Sequence, residues 1–330
     1  MFLTFGGGRK AESVELRFRE AAQADYRPFY DSCFLQHRAN TAVQETVKHE
    51  WRVLLENEAT VSMVVEDQER PEGRRIVGCG QIVFVTDQFV AWMKSFPLPN
   101  LNIQVSHPMP GGSCPLLTLP QVALANAGAG LNGVFTRWGR ADGLLTEEES
   151  RGVGRYMHDS FMAVIRGYQF KELLIQAYTR PAHEQGLRAG FLDRSCADDC
   201  RTQRGQCDAH SFLMGLTREE ARAQEGCVMS HYFVHNRPRF GFGARQQEML
   251  RLSCLRSDLS DEMLAETLAM SVSAVKNWWQ AVYRRVSATH PDLLPPTDAV
   301  KARGPEKRRC LLQYLREHPE ELRPYKPRRV

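Results

Sequence analysis

Apolar and polar residues alternate in several short stretches of the N-terminal two thirds of the chain, a pattern that predicts half-buried strands. The predicted strands are 14–20, 61–66, 76–86, 131–138, 173–178 and 211–216. Apolar residues three or four positions apart predict helices at 26–36, 42–56, 154–167 and 181–189. The turn-forming residues between 61–66 and 76–86 indicate a hairpin. Strands that alternate with helices indicate an α/β layer arrangement.

Two segments lack a regular pattern. Residues 95–130 carry so many prolines and glycines that they predict a long insertion or loop. Segment 236–246, NRPRFGFGARQ, has the Pro, Gly and Arg content of a linker. This linker separates an α/β domain at 1–235 from a C-terminal part that reads as helical.

Three helical patterns follow one another at 247–286. Ser260 is placed to cap the second helix, and Ser271 or Ser273 to cap the third. The third helix has an apolar stripe of Val275, Trp279, Val282 and Val286, and a polar face of Lys276, Asn277, Gln280 and Arg284. This arrangement predicts an all-α helix-turn-helix domain, which places one helix in the major groove of DNA. The same pattern also suits a three-helix packing unit with a solvated polar face.

The run LSDEMLAETLAMSVSAVKNWWQAVYRRV at 259–286 resembles the LuxR-type (GerE-like) DNA-binding domain. Ala269, Ala274 and Trp278 depart from the usual glycine, threonine and histidine of that family. The residues that match the family are Leu259, Ser260, Ala265, Leu268, Ser271, Val275, Lys276 and Tyr283.

The resemblance implies a DNA-binding domain at 247–290 with its recognition helix at 273–286. It implies base contacts for Lys276, Asn277 and Gln280. It also implies phosphate contacts for Ser271, Ser273 and Ala274. The charge of Arg284 suits a phosphate contact as well. It further implies double-stranded DNA as the partner, a homodimer on two-fold sites, and RNA polymerase as an additional partner.

The remaining residues, 291–330, form a basic C-terminal extension. Within it, 305–318 is amphipathic and predicts a helix with Leu311, Leu312 and Leu315 on one side. We expect this helix to pack against the preceding domain, with a solvated tail, rather than to add DNA contacts.

The order of elements in 14–216 resembles the GNAT acetyltransferase superfamily, whose fold is a mixed sheet with flanking helices. The residues that carry the resemblance are ESRGVGR at 149–155, before a helix, and the strand and helix of 171–191 that end in Gly190 and Phe191. The resemblance implies acetyl-CoA or another acyl-CoA as a ligand, although none is required by the sequence. It implies a glycine-loop cradle for the pyrophosphate made of Arg151, Gly152, Val153, Gly154 and Arg155.

Two departures from that family argue against an ordinary transferase. Glu149 stands where an Arg or Gln usually opens the loop, and its charge would repel a pyrophosphate. Gly186 stands where the family often has a general-acid tyrosine. These departures favour a degraded domain that senses a ligand or dimerises.

Composition and charge narrow the class of protein further. The chain has 330 residues, of which 42% are hydrophobic and 25% charged, which is typical of an ordinary globular protein. Residues 236–330 contain 18 Lys and Arg against 11 Asp and Glu, whereas residues 1–235 carry a net charge of −3. A basic C-terminal part suits a polyanionic partner. No apolar run is long enough to predict a membrane span, so we expect no membrane partner and a cytoplasmic location.

Nine scattered cysteines predict free thiols. Four soft ligands, Cys196, Cys200, Cys207 and His210, fall within fifteen residues and form a candidate zinc site. Their spacing is irregular, and a cysteine-containing loop without metal is the favoured interpretation.

Together these patterns predict a bacterial-type transcriptional regulator that reads duplex DNA through 273–286. The alternative is an acyl-CoA-dependent N-acetyltransferase whose helix-turn-helix recruits it to DNA or to another partner. A third interpretation makes the C-terminal helices a protein-interaction module.

Overall fold

The fold is seen in a computed structural model that describes residues 15–27, 41–96, 98, 100–194, 211–255, 259–295 and 304–326. Most of the predicted helix 26–36 lies outside these residues. Among the residues described, no helix is both long enough and apolar enough to cross a membrane.

A seven-stranded mixed sheet forms the centre of the N-terminal domain, in the order β1-β2-β3-β4-β5-β7-β6. Neighbouring strands run antiparallel except β4 and β5, which run parallel. The six predicted strands are confirmed within a few residues, and this topology fits a GNAT-like fold. The strands are β1 Leu16–Glu20, β2 Val61–Asp67, β3 Ile76–Val85, β4 Leu131–Arg140, β5 Phe170–Ala177, β6 Leu192–Asp193 and β7 Phe212–Thr217.

Helices cover both faces of the sheet. One face is covered by α1 (Thr41–Glu56), α2 (Asp87–Ser95) and α3 (Leu101–Ser106), which bury apolar residues against Val83, Val134 and Leu174. The other face is covered by the helix α5 (Glu147–Ile165) and by α6 (Arg180–Ala189) and α7 (Arg218–Ala223). The parallel connection from β4 to β5 passes through α5, as a parallel pair requires a crossover. Helix α6 ends at Gly190, whose φ of 110° is left-handed, as predicted for a glycine C-cap.

The expectation of a long loop at 95–130 is wrong, because two helices form there. These are α3 and α4 (Leu119–Asn126). The backbone of Thr118 donates to the Gln121 amide oxygen at 2.8 Å, and a proline occupies the first turn of α4, where its missing N–H costs nothing. The prolines of this segment therefore begin or separate short helices instead of preventing them.

The C-terminal part of the described chain is all-helical. Its helices are α8 Ala244–Leu255, α9 Asp261–Thr267, α10 Val272–Thr289 and α11 Gly304–Glu317. The predicted stripe of α10 is buried, and Leu311, Leu312 and Leu315 of α11 pack in the same core. Phe240 and Phe242 are buried there too, which corrects the expectation of a simple linker at 236–246.

A short C-terminal segment, Pro319–Leu322 with the residues that follow it, docks the helical domain on the sheet domain. Its buried residues correct the expectation of a solvated tail after α11. The Arg323 guanidinium is buried, lies 5.1 Å over the Tyr168 ring, and donates from Nε to the Arg166 carbonyl oxygen at 2.8 Å. It thereby satisfies a carbonyl at the C-terminal end of α5, where a positive charge is favourable. The Pro324 carbonyl accepts from Asn126 Nδ2 at 2.9 Å.

Two glycines with nearly equal φ angles test this docking. A Cβ on Gly167 (φ +87°) would lie 2.5 Å from the Glu320 backbone nitrogen, whereas a Cβ on Gly73 (φ +84°) would meet nothing within 4 Å. We expect Gly73→Ala to cost about 1–2 kcal/mol of unfolding free energy from backbone strain alone. Gly167→Ala should cost about 1–3 kcal/mol more because backbone atoms cannot yield easily. Urea denaturation compares them, and equal losses would contradict tight docking.

Candidate functional site

Strands β4 and β5 pair over only part of their length and then separate. Their last paired residues are Phe135 and Ile175, after which β4 pairs only with β3 and β5 only with β7. We call this opening the split. Thr136 is an extra residue in β4 relative to β3, since Phe135 pairs with Ile82 and Arg137 with Gln81. Such a bulge re-aims the following side chain.

The re-aimed side chain is Arg137, which is buried against a carboxylate. Its Nη2 donates to Glu50 Oε1 at 2.9 Å, and both side chains are almost wholly enclosed. Its Nη1 donates to Gln81 Oε1 at 2.7 Å, and the guanidinium lies 4.9 Å over the Trp51 ring. Burial raises the pKa of Glu50, while the Arg137 charge and the Asn102 hydrogen bond act against that rise. A charge pair so placed needs these hydrogen bonds to offset its desolvation.

From Glu50 a chain of hydrogen bonds leads to a tyrosine at the split. Asn102 Nδ2 donates to Glu50 Oε2 at 2.8 Å. The Tyr178 hydroxyl has two acceptors at 3.1 Å, Asn102 Oδ1 and Gln176 Oε1. Gln176 Nε2 donates to the Leu98 carbonyl oxygen at 2.9 Å, and its Oε1 accepts from the Leu101 N–H at 2.7 Å, which ties the end of β5 to the start of α3. Tyr178 is therefore held by a network that spans α1, α3 and β5.

Tyr178 is both anchored and accessible. Its side chain is 47% exposed, and it directly follows Ala177, the last residue of β5. Desolvation of the phenol, followed by the negative charge of Glu50, raises its pKa well above the ordinary value. Like any phenol, the hydroxyl is protonated at neutral pH, so it can donate a hydrogen bond or a proton.

The opposite face of the split is aromatic. Trp138 is 37% exposed and makes edge contacts with Phe161 (ring centroids 5.2 Å apart) and His158 (6.5 Å) of α5. Tyr232 lies across Phe135 and His158, each 6.2 Å away between ring centroids. The two sides of the split therefore differ, with polar groups beside α1 and α3 and aromatic rings beside α5.

The predicted glycine loop does not exist as a loop. Arg151, Gly152, Val153, Gly154 and Arg155 lie inside α5, which begins at Glu147 and not near 154. The N–H groups of these residues are turned to carbonyls of the preceding helical turn, so they cannot form a backbone cradle. The correction has a physical cause. Thr146 and Glu149 form a capping box that starts the helix earlier, with the Thr146 N–H 2.6 Å from Glu149 Oε2.

The residues at the start of α5 do not fit a diphosphate. Its first turn carries Glu147, Glu148 and Glu149. Hydrogen bonds from Thr146 lower the pKa of Glu149, which stays ionised and pairs with Arg70 at 3.3 Å. A helix N-terminus attracts anions, but here the chain's own carboxylates already occupy that position.

The predicted site residues and the observed network overlap little. Gly186 lies in α6, where a Cβ would lie 2.6 Å from the Met214 side chain. The prediction missed Glu50 and Tyr178 because nothing in their local sequence marks them. Arg137 did have a usable signal, since it is a charged residue inside the predicted strand 131–138.

The predicted DNA-contacting residues lie on or beside α10. Ser271 caps the helix, since its Oγ accepts from the Ala274 N–H at 3.2 Å, and Ala274 is half-buried. Arg285 faces the other way and donates to the Gly241 and Phe240 carbonyls. The exposed members of the predicted set are Ser271, Ser273, Lys276, Asn277, Gln280 and Arg284.

The candidate zinc ligands Cys196, Cys200, Cys207 and His210 lie outside the described residues. Within the described ranges, no group of three or more His, Cys, Asp or Glu side chains is arranged to hold a metal ion.

Comparisons with known proteins give only distant likenesses. No protein-family model and no curated protein matches the sequence. The C-terminal condensation domain of Ebony, solved in complex with beta-alanyl-dopamine, is 12% identical with a TM-score of 0.38 and covers 62% of this chain and 100% of its own. FeeM, an N-acyl amino acid synthase from uncultured soil microbes, is 12% identical with a TM-score of 0.39. The match covers 66% of this chain and 97% of FeeM.

An acetyltransferase from Streptococcus agalactiae 2603 is 10% identical with a TM-score of 0.35 and covers 61% of this chain and 98% of its own. All three TM-scores lie below 0.5, so these likenesses do not extend to function.

The buried charge pair can be tested by a double-mutant cycle. Glu50→Gln leaves Arg137 buried without a counter-charge, and Arg137→Met does the same to Glu50. We expect each single change to cost about 3–5 kcal/mol of unfolding free energy, and the double change to cost clearly less than their sum. The exposed pair Arg245 and Glu248, 3.2 Å apart, is the control and should couple by under about 1 kcal/mol. Additive losses at Glu50 and Arg137 would contradict a paired site.

Proposed function

We propose that the N-terminal domain is an acyltransferase that moves an acyl group from a thioester to an amine. The observation that supports this most is the anchored hydroxyl of the half-exposed Tyr178 at the split between two parallel strands. In the described residues, β4 has no strand partner on its β5 side beyond Phe135. An extended ligand with amide groups can therefore add to that edge.

Tyr178 supplies the acid in this proposal. The amine attacks the thioester carbonyl and loses one proton to water, and the carbon–sulfur bond breaks as the carbon–nitrogen bond forms. The protonated Tyr178 hydroxyl gives its proton to the departing sulfur and then takes one back from solvent. Asn102 and Gln176 hold the hydroxyl, and Glu50 positions Asn102.

The sequence favours a DNA-binding regulator, with an acyltransferase as the alternative. This proposal puts the acyltransferase first. The departures at Glu149 and Gly186 favour a degraded domain, but Tyr178 offers an acid that does not depend on either residue.

Replacing one hydroxyl tests the acyltransferase. Tyr178→Phe keeps the ring and should lower kcat on the order of 10²-fold or more, because general acid catalysis is lost. The measurement is thiol release from a panel of acyl thioesters in the presence of amines. Tyr156→Phe is the matched control, since Tyr156 lies in the same domain on α5 and also hydrogen-bonds through its hydroxyl. An unchanged kcat for Tyr178→Phe would refute its role, and no release with any donor and amine would refute the function.

A second function, duplex DNA binding by α10, is favoured by the turn that precedes it. Ala269 has a φ of 50°, a left-handed conformation that glycine adopts more readily, and the LuxR-type family that this segment resembles usually carries glycine here. The Met270 N–H donates to the Ala265 carbonyl at 2.9 Å, which closes the end of α9. Helix α10 then starts at the Ser271 cap with its polar face exposed.

The neighbouring helix α11 limits which part of α10 can meet DNA. The Arg308 guanidinium lies 4.2 Å over the Trp279 ring and pairs with Asp261 at 2.5 Å. This contact covers the Trp279 side and leaves the side with Lys276 and Gln280 open.

DNA binding is tested at Lys276 and Gln280. Each of Lys276→Ala and Gln280→Ala should weaken binding to a selected duplex by about 1–3 kcal/mol without changing the fold. Arg245→Ala removes an exposed positive charge from α8 and serves as the control for non-specific attraction. The affinities are measured across a salt series, since non-specific binding also falls steeply with salt. Equal affinities for all three variants and the parent chain would exclude a recognition helix at α10.

A further inference from the structure

We infer that the acyl donor is recognised through an uncharged pantetheine arm, and that the start of α5 provides no site for the diphosphate of CoA. This inference rests on the proposed acyl transfer and specifies its donor. The acidic first turn of α5 and the aromatic side of the split support it.

The acidic turn opposes a diphosphate in two ways. Glu147, Glu148 and Glu149 place three carboxylates where the helix would otherwise attract an anion. In addition, the capping box uses the helix start internally, because the Glu149 N–H donates to Thr146 Oγ1 at 3.3 Å and the Thr146 N–H donates to Glu149 Oε2. A doubly charged diphosphate would meet repulsion there and few donors.

Positive charges near this turn do not restore a site. Arg70 is held by Asp67 at 2.7 Å and by Glu149 at 3.3 Å. Arg140 Nη1 donates to the Ser150 carbonyl at 3.3 Å. Arg151 lies one turn along α5 and donates from Nε to the Glu147 carbonyl at 3.4 Å, and Arg155 lies one turn further from the helix start.

The two glycines of 149–155 have a different explanation from phosphate binding. A Cβ on Gly154 would lie 2.7 Å from Arg140 Nη1, so the missing side chain admits this guanidinium against the helix. Gly152 has open space around it and makes no close approach. Neither glycine brings a backbone N–H to a ligand, because both lie within the helix.

The split itself suits an uncharged arm. Trp138 exposes part of its ring on the α5 side, and Tyr178 presents a hydroxyl on the other. Pantetheine has two amides and short methylene segments, which can pair with a free strand edge and pack on an aromatic ring. Such an arm could come from a free thioester or from a carrier protein.

Calorimetry with the full chain distinguishes recognition of the pantetheine arm from recognition of the nucleotide part of CoA. Pantetheine, CoA and 3′,5′-ADP are each titrated under reducing conditions, and we expect pantetheine and CoA to bind within threefold of each other and 3′,5′-ADP to give no binding. A carrier protein bearing the phosphopantetheine arm is titrated alongside. Binding at least tenfold tighter than free pantetheine would identify a carrier-borne donor, and equal binding a free one.

The triple change Glu147→Gln, Glu148→Gln and Glu149→Gln removes the repulsion and keeps a capping residue at 149. It should tighten CoA binding at least tenfold and leave pantetheine unchanged. The control is Glu58→Gln, Glu219→Gln and Glu225→Gln, which changes the net charge equally at exposed positions away from α5. It should affect neither ligand.

The outcomes separate the inference from the function on which it rests. CoA binding at least tenfold tighter than pantetheine in the parent chain would overturn the inference while leaving acyl transfer intact. No binding of pantetheine, CoA or the loaded carrier would overturn the proposed function itself. Unchanged CoA affinity in the triple variant would also contradict the inferred repulsion.

Discussion

One buried charge pair governs the architecture of the site. Arg137 follows a bulge in β4 and is neutralised by Glu50 from α1, at an N–O distance of 2.9 Å. Without that carboxylate, a guanidinium could not remain inside the sheet domain, since an unpaired buried charge is far too costly. The pair also fixes Asn102 through the second Glu50 oxygen, and Asn102 in turn holds Tyr178. The orientation of the candidate acid therefore depends on a pair joined across 87 positions of sequence.

The same domain shows how a glycine-rich motif can mislead. The sequence ESRGVGR suggests a phosphate loop, but a capping box three residues earlier starts the helix first. Helix-interior glycines cost about 1 kcal/mol each, and the burial of Val153, Met157, Phe161 and Ile165 offsets this cost. Local capping and a buried stripe together outweigh the tendency of glycine to interrupt a helix.

Local patterns predicted the elements of this protein better than its site. Helix 42–56, the hairpin of β2 and β3, the glycine end of α6 and the stripe of α10 depend on neighbours in sequence, and each is present. Arg137, Glu50 and Tyr178 depend on contacts between distant elements, which periodicity does not reveal. The buried role of Phe240 and Phe242 was hidden for the same reason, because α11, which completes their core, lies some sixty residues later.

The proposed acyltransferase binds its acyl group at the split between β4 and β5. Its most direct test is a crystal structure of the full chain with a ketone analogue of an acyl-pantetheine, in which a methylene group replaces the sulfur. We predict that the analogue lies along the β5-facing edge of β4 beyond Phe135, with its carbonyl oxygen within hydrogen-bond distance of the Tyr178 hydroxyl. An analogue bound elsewhere, with the Tyr178 hydroxyl still hydrogen-bonded only to Asn102 and Gln176, would contradict an acyl site at the split.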